Sequence, residues 1–76
     1  MTDTPTSEIL AEMVASVLSV AVAPGDRVEV GDTAMLLESM KMEIPVLVET
    51  AGVVREVRVV AGDVIQEGDL LVVLEH

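Results

Sequence analysis

The chain is internally duplicated, and this duplication constrains its fold more than any other feature of its 76 residues. When the sequence is laid over itself at an offset of 37 residues, three stretches match without a gap: 17–26 over 54–63, 30–32 over 67–69, and 37–38 over 74–75. Two copies are too few for a solenoid, in which each repeat packs only on its neighbours. The duplication therefore predicts one closed, pseudo-two-fold domain whose halves bury each other's apolar face.

The segment 9–18 is ambiguous, because its apolar residues fit helical spacing and Ser7 could cap a helix start. Its counterpart in the second copy, 46–54, is rich in β-branched residues and contains Gly52, which is typical of a strand. If the two copies are equivalent, the segment 9–18 is also a strand. Tertiary context then overrides the local helical preference.

Alternating side chains and regularly placed turns predict an all-β domain. Val57 and Val59 share one face of a strand while Glu56 and Arg58 share the other, which is the period of a half-buried strand. Gly-Asp pairs mark turns at 25–26, 31–32, 62–63 and 68–69, and further strands are predicted over 33–39, 42–48 and 70–75. The pattern indicates roughly eight short strands, four per half, in a flattened antiparallel barrel or sandwich. We expect residues 1–7 to form a flexible tail and residues 8–75 to form the domain.

Composition excludes several classes of function. The net charge of −10 and the absence of Phe, Tyr and Trp leave neither a basic patch nor a stacking platform for nucleic acid. The same acidity disfavours anionic membranes, and no segment is long enough to span a bilayer. We therefore expect a cytoplasmic protein with no nucleic-acid or membrane partner. Because cysteine is absent, a disulfide and a thiolate metal site are both impossible.

Catalysis by this chain is not expected, and neither is a metal site. Its one histidine, His76, is predicted to be a solvated terminal residue, and no Ser-His-Asp or Cys-His set can be assembled from it. The 14 acidic residues could include a glycosidase pair, but no pocket-forming aromatic residue accompanies them. The Gly-Asp pairs could suggest calcium, but their spacing does not fit an EF-hand and turn formation explains them more simply. The sequence predicts no catalytic residue and no metal ligand.

Lys41 is one of only four basic residues and lies between two methionines near the midpoint of the duplication. An ordinary charged hairpin tip would explain it, but methionines at a projecting turn are exposed apolar surface, which is typical of recognition. The turn lacks the Asn-Gly or Asp-Gly of tight hairpins, so a two-residue turn would strain Met40 and Lys41 by about 1 kcal/mol each. If the strand pleat continues, both methionines point away from Lys41. Spacing alone leaves a functional lysine and an ordinary tip equally open.

The segment 38–43 (ESMKME), the duplication and the downstream segment 51–54 (AGVV) resemble the biotinyl/lipoyl attachment domain over about residues 8 to 75. Within that family, the chain is most similar to the short stand-alone biotin carrier proteins of bacteria. The resemblance implies a flattened β-barrel of two four-stranded sheets with a modified lysine at a hairpin tip. Met-Lys-Met is the biotin form of the motif, whereas lipoyl domains more often carry Asp-Lys-Ala or a similar triplet.

The resemblance also implies residue roles and partners. Lys41 would carry covalent biotin, and biotin protein ligase would read the residues around it, namely Glu38, Ser39, Met40, Met42 and Glu43. The implied function is that of a biotin carboxyl carrier, which moves a carboxyl group from a biotin carboxylase to a carboxyltransferase and is not itself an enzyme. The implied setting is an acyl-CoA carboxylase, as in fatty acid biosynthesis. A lipoyl carrier with lipoate on Lys41 and an interaction module that is never modified are the alternatives.

Three features depart from the family pattern. Ser39 stands where alanine is commonest, a change between small residues that we expect to be tolerated. Ala15 stands where the first copy usually has the glycine equivalent to Gly52, which leaves the local backbone open. The chain also lacks the "thumb" loop and the Pro/Ala-rich linker of some acetyl-CoA carboxylase carriers, which leaves the partner enzyme open.

Overall fold

The computed structural model describes residues 5–76, and these residues form eight β-strands and no helix. In chain order the strands are β1 Thr6–Leu10, β2 Ala15–Val20, β3 Arg27–Val28, β4 Thr33–Ser39, β5 Met42–Leu47, β6 Gly52–Val57, β7 Val64–Ile65 and β8 Leu70–Glu75. The predicted all-β class and the predicted number of strands are therefore confirmed. Within residues 5–76 no helix has the length and apolarity needed to cross a membrane.

The strands form two four-stranded antiparallel sheets that the internal duplication relates to each other. Sheet A has the order β1-β8-β6-β3, and sheet B has the order β5-β4-β2-β7. Because β1 to β4 of the first copy correspond to β5 to β8 of the second, the pseudo-two-fold axis exchanges the two sheets. Each sheet takes two strands from each half. Neither half forms a sheet alone, which confirms the predicted dependence of one half on the other.

The buried core repeats at the same 37-residue offset. Seven pairs of equivalent positions are buried: Ala11 and Val48, Ala15 and Gly52, Val17 and Val54, Val28 and Ile65, Ala34 and Leu71, Met35 and Val72, and Leu37 and Leu74. Aliphatic side chains and the thioether of Met35 form this core. No polar or charged residue is buried within residues 5–76. The two halves thus contribute equivalent positions to one core.

The four Gly-Asp turns tie the two halves together. Each glycine has φ between 91° and 100°, and each aspartate accepts a hydrogen bond of 2.8–3.0 Å from the backbone N–H three residues earlier. Each turn also bonds a buried residue of the other half; for example, Gly62 N donates to Val17 O and Val17 N donates to Asp63 O, both at 2.8 Å. Because each carboxylate serves its own turn, the interpretation of the Gly-Asp pairs as turn residues is confirmed.

The segment 9–18 is β-structure, as predicted, but it is divided between two strands in different sheets. Its first residues end β1 in sheet A, and β2 of sheet B begins at Ala15. Between them, Ala11 exchanges two backbone hydrogen bonds of 2.8 Å with the turn at Gly68 and Asp69. These bonds replace the strand ladder and turn the corner between the sheets. Val48 interrupts the segment 46–54 in the same way.

Regular structure begins earlier than the predicted domain boundary at residue 8. Thr6 and Ser7 pair with Glu75 and Leu74 in the β1–β8 ladder, so two residues assigned to the tail lie in a strand. Residues 1–4 of that predicted tail lie outside the residues that the structure describes.

His76 is not a freely solvated residue, in contrast to the prediction. Its ring Nδ1 donates a hydrogen bond to the backbone carbonyl of Ala51 at 2.8 Å, and its Nε2 lies 2.7 Å from the Ser7 hydroxyl oxygen. Its backbone N–H donates to the carbonyl oxygen of Pro5 at 2.9 Å. The side chain is exposed, yet it joins β1 to the connection before β6. These contacts join residues that are distant in sequence, so no local sequence pattern predicts them.

Candidate functional site

The β4–β5 hairpin is closed by a turn of two residues, Met40 and Lys41. Ser39 and Met42 are the last paired residues of the two strands. The φ angle is 53° at Met40 and 64° at Lys41, and these are the only non-glycine residues with positive φ within residues 5–76. Positive φ at both central residues is characteristic of a type I′ hairpin turn. The hairpin therefore has the two-residue turn that was one possibility from the sequence.

This turn contains large side chains where small ones are favoured. Asn, Asp and Gly normally occupy its central positions, and other L-residues cost about 1 kcal/mol each there. The β4–β5 ladder, which runs from Thr33 opposite Leu47 to Ser39 opposite Met42, holds the turn in place. A turn that keeps Met40 and Lys41 despite this strain indicates selection for something other than stability.

The Lys41 side chain is exposed and lies between two exposed methionines. Met40 is 88% exposed and Met42 is 59% exposed. Lys41 takes part in none of the ion pairs formed within residues 5–76. A primary amine on a fixed, projecting turn is accessible to the active site of another enzyme, and acylation is the characteristic reaction of such an amine.

All six residues predicted for the site lie on this one hairpin. Glu38 and Glu43 are direct cross-strand partners next to the Ser39–Met42 pair, and both carboxylates are exposed. The prediction that both methionines point away from Lys41 is not supported, because Met40 is itself a turn residue and the strand pleat ends at Ser39. The motif did not reveal that the two glutamates face each other across the ladder.

A groove of the molecule lies away from the Met40–Lys41 turn. It has a volume of about 480 Å³ and runs between the edge strands β1 and β5. Its walls are mostly aliphatic, with Ile9, Leu10 and Ile44 among them, and they contain no histidine, cysteine or lysine. The polar residues of the groove are Ser7, Thr50 and three glutamates, Glu8, Glu12 and Glu49. The reactive amine is on the hairpin.

Two sheets exchanged by a pseudo-two-fold axis, with one exposed lysine at the tip of a hairpin, define an attachment domain of the carrier type. Residues 5–74 match the Biotin_lipoyl family, which is described as biotin-requiring enzyme. The match covers nearly the whole chain, and the chain belongs to this family.

Similar proteins include a curated relative and two solved carboxylase structures. The chain is 60% identical over 47 residues to the biotinylated protein TB7.3 homolog of Mycobacterium leprae, which is 62% of this chain and 66% of that protein. It is 28% identical, with a TM-score of 0.86, to part of a single-chain, multi-domain long-chain acyl-CoA carboxylase, covering 92% of this chain and 7% of that one. It is also 28% identical, with a TM-score of 0.86, to part of the urea carboxylase of Kluyveromyces lactis, covering 97% of this chain and 6% of that one. The chain thus spans just under two thirds of the curated relative and one small part of each carboxylase.

Proposed function

We propose that this chain is a biotin carboxyl carrier in which biotin is joined to the Nζ atom of Lys41. The observation that carries the proposal is the exposed Lys41 amine on a strained two-residue turn between two exposed methionines. A relative described as biotinylated and two similar carboxylase structures support it. The residues fit the group, because covalent attachment requires a projecting amine and does not require a pocket.

Lys41 supplies the attachment chemistry. Its amine attacks the activated carboxyl group of biotin, an amide bond forms, and the activating group leaves. The positive charge of Lys41 is lost, so the formal net charge changes from −10 to −11. When bound, biotin supplies a ring nitrogen that takes up and gives up a carboxyl group. The Met40–Lys41 turn holds the start of the arm in one orientation above the β4–β5 ladder.

The partners in this proposal are a biotin protein ligase, a biotin carboxylase subunit and a carboxyltransferase subunit. The ligase reads Met40, Met42, Glu38, Ser39 and Glu43 on the hairpin that carries Lys41. Tethering raises the effective concentration of the carried group at the two active sites, which is the contribution of a carrier. We propose an acyl-CoA as acceptor, supported by the similarity to a long-chain acyl-CoA carboxylase. The cytoplasmic location remains a prediction.

The decisive experiment compares the native protein with a Lys41→Arg variant from the same host. Lys41 is the only lysine, so the variant removes the only side-chain amine and keeps the charge. We expect the intact mass of the native protein to include one biotin and the variant to show neither the adduct nor streptavidin binding. A lipoate mass, with its reducible dithiol, would establish the lipoyl carrier instead. Unmodified Lys41 in cells with active ligase would favour an interaction module.

A further inference from the structure

The pseudo-two-fold axis allows the outer faces of the two sheets to be compared position by position. All three arginines of the chain lie on β3 and β6 of sheet A or directly after β6. Each arginine forms an exposed ion pair: Arg27 with Glu29 at 3.2 Å, Arg55 with Glu75 at 3.5 Å, and Arg58 with Glu56 at 2.8 Å. An exposed carboxylate therefore compensates each arginine on or next to sheet A.

Sheet B has none of these ion pairs at the equivalent positions. The residues equivalent to Arg27 and Glu29 are Val64 and Gln66. Those equivalent to Arg55 and Glu75 are Leu18 and Glu38, and those equivalent to Arg58 and Glu56 are Ala21 and Ser19. Every cation is replaced by an apolar side chain, and two of the three acids are replaced by neutral polar residues. Of the three acids, only the one at Glu38 is kept on sheet B, and the position of its arginine partner holds an apolar residue. The two faces share a backbone but differ in surface chemistry.

Exposed apolar residues on and beside sheet B lie near a row of paired residues that leads to the lysine hairpin. The register places Val64, Ser16, Glu38 and Glu43 in one row across β7, β2, β4 and β5. Val14 precedes Ser16 by two residues along the chain and is 63% exposed, while Val64 is 70% exposed. Exposed aliphatic side chains that cluster beside a functional group are typical of an interaction site.

The paired glutamates indicate the charge of the surface that binds there. Like charges directly opposite each other on a sheet are destabilising, and Glu38 faces Glu43 in this way. On sheet A, the equivalent Glu75 is opposite Thr6 and has Arg55 as an ion partner. Once Lys41 is acylated, the strands and hairpin of sheet B contain no cation. This arrangement costs stability and leaves two carboxylates uncompensated. It therefore fits a partner surface that carries basic side chains.

We propose that the outer face of sheet B, formed by Val14, Leu18, Val64, Glu38 and Glu43, is the surface on which the biotin carboxylase docks. This inference rests on the proposed carrier function. Docking there requires a carboxylase surface with an apolar centre and Lys or Arg side chains beside it. A second copy of this chain is a poor occupant, because two copies would bring their glutamate pairs together. Sheet A faces solvent in the complex.

The duplication supplies the test variants and their controls. The double variant Leu18→Arg, Val64→Arg places on sheet B the residues that sheet A has at the same positions, so the strands should tolerate them. The reverse exchange on sheet A, Arg55→Leu with Arg27→Val, is the matched control. Each holo protein is purified after complete biotinylation and assayed for carrier-dependent ATP hydrolysis by the biotin carboxylase of the same host, with bicarbonate present.

We expect the sheet B variant to raise the KM for the carrier by about tenfold or more, as when charge replaces an apolar centre of an interface, and the sheet A control to change it less than about twofold. If both variants leave KM unchanged, the docking surface is refuted. If the sheet B variant slows only labelling by the ligase, the ligase is the occupant and the proposal is also overturned. Should the double variant not fold, Val64→Arg alone is measured against Arg27→Val. Failure of the carrier function itself would appear earlier, as absence of biotin on Lys41.

Discussion

Ala15 and Gly52 occupy equivalent buried positions of the two halves, and Gly52 lies directly against a backbone carbonyl. A Cβ atom added at Gly52 would overlap the carbonyl oxygen of Glu75 and lie 3.0 Å from the Nδ1 atom of His76. Ala15, in β2, pairs with Ile65 of β7, and the φ angle of Ala15 is not positive. The departure of Ala15 from the family glycine is therefore accommodated by ordinary strand backbone, and the requirement for glycine is confined to the second copy.

This difference predicts unequal responses to the same chemical change. We expect Gly52→Ala to lower the free energy of unfolding by roughly 2 kcal/mol, because an added Cβ in a packed site forces backbone shifts. The matched variant Ala15→Gly should cost only about 1 kcal/mol, through backbone entropy. Urea unfolding of both variants measures the two values. Equal losses would contradict the close approach of Glu75 to Gly52.

The strained turn predicts that a better turn sequence stabilises the domain. Replacing Met40 and Lys41 by Asn and Gly, the residues that type I′ turns prefer, should raise the free energy of unfolding by about 1 kcal/mol. Gly62→Ala is the opposite control, because Gly62 has a φ of 100° and an alanine there should destabilise by about 1 kcal/mol. Thermal and denaturant unfolding measure both. A destabilised Asn-Gly variant would show that Met40 and Lys41 contribute contacts that outweigh their strain.

The methionines beside Lys41 predict a labelling defect without a folding defect. Met40→Asp combined with Met42→Ala gives the lipoyl-type flanks, and we expect it to slow biotinylation by the ligase. Both methionines are exposed, and Asp is favoured at the first central position of a type I′ turn, so the free energy of unfolding should not fall and should rise by up to about 1 kcal/mol. Streptavidin labelling over time, beside an unfolding curve, separates the two effects. Labelling at the normal rate would mean that the ligase does not read these residues.

The glutamate pair predicts a stabilising substitution next to the attachment site. Glu38→Gln removes the repulsion with Glu43, so the free energy of unfolding should rise by roughly 0.2 to 1 kcal/mol at low salt. Glu75→Gln, at the equivalent position of sheet A, removes the ion partner of Arg55 and should be neutral or slightly destabilising. The difference should shrink in high salt, since exposed charges are screened. The same sign for both variants at low salt would show that the repulsion is negligible.

Much of the fold and of the candidate site could be predicted from local patterns. The Gly-Asp turns, with glycine at positive φ and a carboxylate that bonds its own turn, depend on residues close in sequence. A two-residue turn at Met40 and Lys41 could also be anticipated from the sequence, because strands β4 and β5 are consecutive and pair with each other. The division of the segment 9–18 between two sheets could not be predicted in this way, because the hydrogen bonds that divide it come from Gly68 and Asp69. The contacts of His76 with Ser7 and Ala51 could not be predicted either, because these residues are also distant in sequence.

The sequence by itself determined the duplication, the all-β class, the turn positions and the one lysine at the midpoint, because each depends on residue type and spacing along the chain. Only the tertiary structure decided which strands share a sheet and which residues of the two copies occupy equivalent surfaces. It placed the three arginines on strands of sheet A or directly after one, and set Glu38 opposite Glu43 on sheet B. Strand pairing over long sequence separations produced these results, and such pairing depends on how the two halves pack together.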